Sequence, residues 1–360
     1  MNRARTAIAA SLTLSMALVG CQTTSPDASA EAGEGQAVLA RDPMTPRGAK
    51  LAEPAPSAAV MGVRDRAIDL LLQASEAADP LLRANAIEAL HDAPEHLTPV
   101  VREGLSDPNE GVRFVAAMTV GRRRLTALAE GVEPLLNDDS ESVRAAAIYA
   151  LRRCGRTIDL NPLSSMIQSP DPTVKGNAAM VLGELGNPSA IPMLREAVGQ
   201  KLARTPLARA KIVDLQIAEA LVKLGHEGGL DAIRAALFAP VEQGELTVLA
   251  CQMCGQLRDE AYAPSLRDMA TREGRLEEPP EIQLAAAEAL ARMNAIWAMP
   301  EIPLAHVGSD RPELRAQAAI ALGSFPLTPR LLEVLSGLLD DPSPTVQVAA
   351  AGSIVRLTAR

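Results

Sequence analysis

The sequence predicts an all-α protein, a solenoid of about nine two-helix repeats, and three observations carry that prediction. One turn-and-helix pattern recurs along most of the chain. The hydrophobic residues, 48% of the total, are chiefly Ala, Leu, Val and Ile, while aromatic residues make up only 2%. Asp and Pro punctuate the pattern at its turns. Small and aliphatic side chains suit closely packed helices better than sheets, and self-similarity at a fixed period marks a stacked architecture.

The chain begins with Arg3 and Arg5, continues through an uncharged, apolar or small run from Thr6 to Leu18, and closes that run with Leu18-Val19-Gly20-Cys21. A basic start, an apolar stretch of about 7–15 residues and small residues at the cut describe an export signal, too short to span a bilayer comfortably. The Leu-Val-Gly-Cys run resembles the lipobox of bacterial lipoproteins. That resemblance covers four residues. It implies a signal peptide over 1–20, cleavage before Cys21 and lipidation of the Cys21 thiol. Gln22 rather than Asp after the cysteine then implies a cell-envelope protein in the outer membrane, facing the periplasm. Several acyl chains on one cysteine would hold the protein to the membrane, since each buried CH2 contributes about 0.8 kcal/mol.

Without its leader the chain has 340 residues and, having lost Arg3 and Arg5, a formal charge of −11 in place of −9. An acidic chain is a poor general binder of nucleic acid, which calls for a basic stripe. Residues 21–56 are rich in Ala, Ser, Pro, Gly, Glu and Asp and have no aromatic side chain. Such a segment buries too little surface to order itself. It reads as a lipidated, disordered tether with a reach on the order of 30 Å.

The repeats occupy residues 57–360. Each carries a turn with Asp and often Pro, then an aliphatic mark residue, often a basic residue, and an Ala-rich helix ending near Leu-Gly. The clearest turns start at Asp107, Asp139, Asp171 and Asp310. The marks are Leu82, Val112, Val143, Val174, Val213, Leu246, Ile282, Leu314 and Val346, spaced 30, 31, 31, 39, 33, 36, 32 and 32 residues apart. The first helix of each unit has leucines at helical spacing, as in Leu135-Leu136 or Leu331-Leu332. Asp then caps the second helix and Pro suits its first turn. In the second helix Val143, Ala147 and Leu151 share the face that packs on neighbours. The longer turns at 199–212 and 271–281 make repeats five to seven the loosest in register.

The Asp-Pro, Val-Arg, Ala-Ala and Ala-Leu-Gly positions resemble the HEAT-like repeats of the phycobilisome-lyase type. The resemblance implies a right-handed α-solenoid whose second helices line the concave side. It also implies a ladder of turn hydrogen bonds, pairing Asp107 with Arg113, Asp139 with Arg144, Asp171 with Lys175 and Asp310 with Arg315, a structural set rather than a catalytic one.

Chemistry is sparse. Cys251-Gln252-Met253-Cys254 has redox spacing, but both thiols fall inside a second helix where other repeats carry Ala and Leu, so core packing competes with a redox pair. Cys154 takes a core-type position. Metal-dependent hydroxylases with this kind of repeat carry several His-Glu pairs. Here only His226-Glu227 occurs, and His91, His96 and His306 are scattered. No metal, cofactor or small-molecule substrate is indicated, no nucleophile or phosphate-loop motif occurs, and no catalytic activity is expected. Positions two, three and six past the mark are expected to lean into a concave groove: Phe114, Val115, Met118, Tyr149, Asn177 and Met180. Arg122-Arg123-Arg124, Arg152-Arg153 and Arg156 give that groove a basic margin. The alternative is that the aromatics complete the core and the arginines compensate helix dipoles. The expected function is a membrane-anchored scaffold or adaptor binding a protein or peptide on its concave face. The competing readings are a redox or lyase-like enzyme using Cys251 and Cys254, and a structural component that binds an anionic ligand at the arginines.

Overall fold

The computed structural model describes residues 58–272, 277–294 and 298–359. The leader, Cys21 and the tether lie outside the described residues. Within them the chain alternates between two kinds of helix. One kind comprises α1 (Ala58–Ser75), α3 (Pro94–Gly104), α5 (Ala129–Val132), α7 (Pro162–Met166), α9 (Ile191–Ala197), α11 (Gly228–Ala236), α13 (Ala263–Thr271), α15 (Glu301–His306) and α17 (Pro329–Leu338). The other comprises α2 (Pro80–Ala89), α4 (Glu110–Arg123), α6 (Glu141–Arg153), α8 (Pro172–Leu185), α10 (Leu207–Lys223), α12 (Gly244–Leu257), α14 (Pro280–Arg292), α16 (Pro312–Leu322) and α18 (Pro344–Thr358).

The even-numbered helices are the predicted second helices, and each packs on the next along the chain. They form an inner layer, and the odd-numbered helices lie outside it. The predicted stripe is buried throughout: Val143, Ala147 and Leu151 have no exposed surface. One continuous core runs from Ala67 to Leu357.

Small residues set the spacing of the inner layer. The Leu-Gly glycines stand inside the helices, against the next repeat's backbone: a Cβ on Gly183 would lie 2.9 Å from Ala220 Cα, and one on Gly255 would lie 2.8 Å from Ala289 Cα. Gly186, in contrast, ends α8 with φ at +70°, a conformation that costs L side chains about 1–2 kcal/mol.

The turns depart from expectation in two ways. Asp171 caps α8 as predicted, accepting from the N–H groups of Thr173 and Val174. At α4, however, the cap is Asn109, which accepts from Gly111 and Val112, and Ser140 and Arg311 precede α6 and α16. The ladder runs within turns through backbone carbonyls, as where Arg144 reaches Asp139 O at 3.2 Å, and also between repeats through the carboxylates. Arg83 donates to both carboxylate oxygens of Asp107, Arg113 to Asp138 and Arg315 to Asp341, all at 2.7–2.9 Å. Each of these arginines also donates to carbonyls of its own turn, Arg113 to Asp107 O at 2.8 Å and Arg315 to Ser309 O at 2.7 Å. Lys175 reaches Gln200 instead of Asp171. A long side chain spans to the next turn, whereas the Asp of its own turn points toward the preceding repeat.

The largest departure is closure. The last helix, α18, packs on α1 and α2 of the first repeat. Gly352 of α18 meets Ala89 of α2, where an added Cβ would lie 2.9 Å from the alanine methyl. Arg64 of α1 donates to Val355 O at 2.8 Å, Thr358 Oγ1 at 3.0 Å and Asp92 O at 3.0 Å. Arg66 pairs with Asp340 across the same seam. The solenoid is therefore a closed ring. Nine repeats completing one turn rotate about 40° each, and neither end needs a polar capping repeat.

Candidate functional site

The expected groove is filled. Phe114, Met118, Tyr149, Asn177 and Met180 are all buried, with Met118 at 0% and Tyr149 at 1% exposure. Tyr149 occupies the notch left by Gly121, where an added Cβ would meet its ring at 2.3 Å. Asn177 Nδ2 donates to Ser142 Oγ at 2.9 Å. These positions face the neighbouring inner helix rather than solvent, so they are core residues rather than a docking surface.

The predicted arginines do reach a surface, at the mouth formed by the C-terminal ends of the inner helices. Arg152 is exposed, and Arg122, Arg123 and Arg153 are partly covered. Taking the residue ten past each mark, the order round the ring is Asp92, Arg122, Arg153, Glu184, Lys223, Gln256, Arg292, Ser324 and Arg356. Two of these cations have a carboxylate one turn earlier on their own helix: Lys223 lies 2.9 Å from Glu219, and Arg292 lies 2.8 Å from Glu288. Lys223 also meets Glu184 at 2.8 Å. Burial opposes the Lys223 ammonium, yet Glu219 and Glu184 together hold its pKa above the ordinary range.

Arg122, Arg153 and Arg356 are built differently. One turn before them stand Met118, Tyr149 and Gly352, none of them acidic. The Arg122 side chain is only 7% exposed. Its nearest acceptors are Glu88 Oε1 at 3.9 Å and Met180 Sδ at 4.0 Å, both weak contacts. Its Nε is buried without a hydrogen bond, and so is that of Arg153.

A cavity opens beside Arg122, at the seam between the first and last repeats. Its polar lining is Glu88, His91, Asp92, Thr119, Arg122, Ser353 and Arg356, over Ala89, Ile320, Ala349 and Gly352. Burial pushes the Glu88 carboxyl up to about 7 against the pull of Arg122, and Glu88 Oε1 accepts no hydrogen bond. Burial, reinforced by Arg123, pushes His91 down to about 4; its Nε2 lies 3.4 Å from Arg123 Nη1. The sequence reading missed Glu88 and Arg356 because they come from opposite ends of the chain. The available signal was their place in the repeat, six and ten past the mark.

A second surface lies on the edge where outer helices hand over to inner ones. Of the six large hydrophobic side chains most exposed among the described residues, four are Val198, Leu207, Phe238 and Val241, in the turns of repeats five and six. Leu207, Phe238 and Val241 are 67%, 63% and 77% exposed. Lys211, one turn after Leu207, donates to Gln243, two residues past Val241, at 2.9 Å, so the two turns adjoin. Lys201, Arg204, Arg209 and Lys211 flank them.

A family model described as HEAT repeats matches residues 68–152, 129–210 and 160–240. Over that stretch the chain is built of HEAT repeats. No curated protein matches the chain. Among solved structures, the chain is similar to the complex of CpcE and CpcF of phycocyanin lyase from a Nostoc species, with 18% identity, 66% of this chain and 91% of that chain covered, and a TM-score of 0.36. It is also similar to human deoxyhypusine hydroxylase in complex with glycerol, at 16% identity, 74% and 97% coverage and a TM-score of 0.35. For Kap121p bound to Nup53p the values are 12%, 71%, 37% and 0.27, the chain spanning little more than a third of that protein's length.

The cysteines of the repeat array among the described residues pack toward its interior. Cys251 and Cys254 are fully buried in α12, unbridged, and burial pushes the Cys251 thiol well up and the Cys254 thiol up to about 12. A thiol so held is a poor nucleophile at neutral pH. Cys154 is half-buried rather than fully in the core. Among the described residues no group of three His, Cys, Asp or Glu side chains could hold a metal ion, and no helix is long and apolar enough to cross a membrane.

Proposed function

We propose that the protein is a non-catalytic interaction scaffold of the bacterial cell envelope, lipidated at Cys21 and held by residues 21–56 at the periplasmic face of the outer membrane. It engages a protein partner on the apolar edge of repeats five and six. The observation that carries this reading is the concentration of Leu207, Phe238 and Val241 in adjoining turns of a protein that otherwise buries its large side chains. Exposed aromatic and aliphatic side chains grouped together are typical interface anchors. The flanking cations fit a partner surface with an acidic border. HEAT solenoids generally act by presenting extended surfaces, and with the ring closed the surface on offer here is its rim.

The anchor and the edge are testable together in the full-length protein. Replacing Cys21 with Ser is expected to abolish lipid labelling and release the protein from membranes. A photo-crosslinking side chain at Phe238 is expected to capture one discrete envelope protein. That adduct should vanish when Leu207 and Val241 are changed to Ser, and should not form from a probe at exposed Arg102. Adducts to lipid alone, or none at all, would remove the edge as a protein-docking site.

A further inference from the structure

We propose that the mouth of the ring binds a small anion, a carboxylate or phosphate group, between Arg122 and Arg356. The inference rests on how the same repeat position is treated on two sides of one ring. At Lys223 and Arg292 the protein places a carboxylate four residues earlier on the same helix, and the pairs close to 2.8–2.9 Å. At Arg122 the equivalent residue is Met118, a thioether with no carboxylate to offer. A guanidinium nine-tenths buried with an unpartnered Nε is costly unless a charged acceptor reaches it.

The cavity beside Arg122 is where that acceptor fits. Arg356 and the Thr119 hydroxyl also line it, Ser353 Oγ being committed to Ala319 O at 2.8 Å, and the small residues Ala89, Ala349 and Gly352 leave room. A planar carboxylate or a phosphate oxygen pair matches the guanidinium fork. Of the two carboxylates that line the cavity, Glu88 and Asp92, Glu88 pairs with Arg122, and at 3.9 Å it is beyond hydrogen-bond reach of the guanidinium. The site joins the first two repeats to the last two, so its occupant would also bridge the seam.

The test uses the full-length protein in detergent, with sodium phosphate and sodium succinate as probes and sodium chloride at equal ionic strength as reference. Thermal unfolding is expected to show a saturable rise in Tm of several degrees with at least one probe, as mass action requires of a ligand bound to the folded state. Equilibrium dialysis of labelled phosphate and labelled succinate should give matching occupancy. Arg122→Gln and Arg356→Gln are each expected to weaken binding at least tenfold. Met118→Glu copies the Glu219–Lys223 arrangement and is expected to raise Tm in chloride while abolishing the response to the probes. Wild-type protein that responds to phosphate and succinate no more than to chloride would overturn the proposal, as would undiminished binding by both arginine variants. Should one variant fail to fold, the other and the wild-type dialysis still decide.

Discussion

Glu88 and His91 lie within one turn of each other in the first repeat, and burial drives their pKa values in opposite directions, to about 7 and about 4. A carboxyl raised on folding adds stability that is complete below its ordinary 4.5 and is lost as pH rises through about 7. A histidine lowered on folding adds stability that is complete above 6.5 and is lost as pH falls through about 4. The two contributions mask each other across that window. Glu88→Gln removes one of them and keeps the shape, leaving Arg122, Arg123, Asp92 and Arg356 around the site. Relative to wild type it is expected to gain about 1–3 kcal/mol between pH 5 and pH 8, read from urea denaturation at both pH values. Parallel behaviour of the two proteins would show that Glu88 does not carry the buried proton. At this scale the sequence made the arginine cluster visible, since Arg122, Arg123, Arg152 and Arg153 stand in the text of two repeats. It showed Glu288 four residues before Arg292 and Met118 four before Arg122, but not that Glu88 of the preceding repeat stops 3.9 Å short of Arg122.

At the scale of the helix, the spacing of the inner layer depends on glycines that are not turn residues. Ala in place of Gly inside a helix is worth about 1 kcal/mol in propensity. At Gly183 the new methyl would stand 2.9 Å from Ala220 Cα, a backbone atom that cannot rotate aside. Overpacking of that kind costs about 1–3 kcal/mol, so the clash outweighs the propensity. Gly183→Ala is expected to lower Tm. Gly62→Ala in α1, with nothing within 4 Å, is expected to raise it. Calorimetry on the pair checks the assignment, and a stabilised Gly183→Ala would refute close packing as the reason for that glycine. Helix identity, order and the buried stripe were legible because period and capping are local properties. The ladder partners were half legible: Asp107 takes Arg113 on its backbone carbonyl, but its carboxylate accepts from Arg83 of the preceding repeat. Spacing alone does not say whether a long side chain reaches its own turn or the next.

For the whole molecule, closure changes how the repeats share stability. In an open array each end repeat has one neighbour and frays first. Here α1 and α18 cover one another, and Arg64 joins the ends through two hydrogen bonds, to Val355 O and Thr358 Oγ1, with a third to Asp92 O of its own repeat. Arg64→Met keeps the apolar stem and removes the donors, leaving the carbonyls of Val355 and Asp92 short of partners. Its expected cost is about 2–3 kcal/mol. Hydrogen exchange should report the loss at 58–75 and 344–358 before it appears in repeats four to six. Uniform loss of protection would mean that Arg64 supports the core generally rather than the seam.

Composition and periodicity by themselves determined that this chain is helical, that its units number about nine and that Ala and Leu form their contacts, because each of those follows from a pattern within some 30 residues. Only the tertiary structure decided that the array closes. Closure depends on a small rotation between repeats accumulating over the whole chain, and no single repeat encodes the total. That one geometric fact brings Glu88 and Arg356, from opposite ends of the chain, to one cavity.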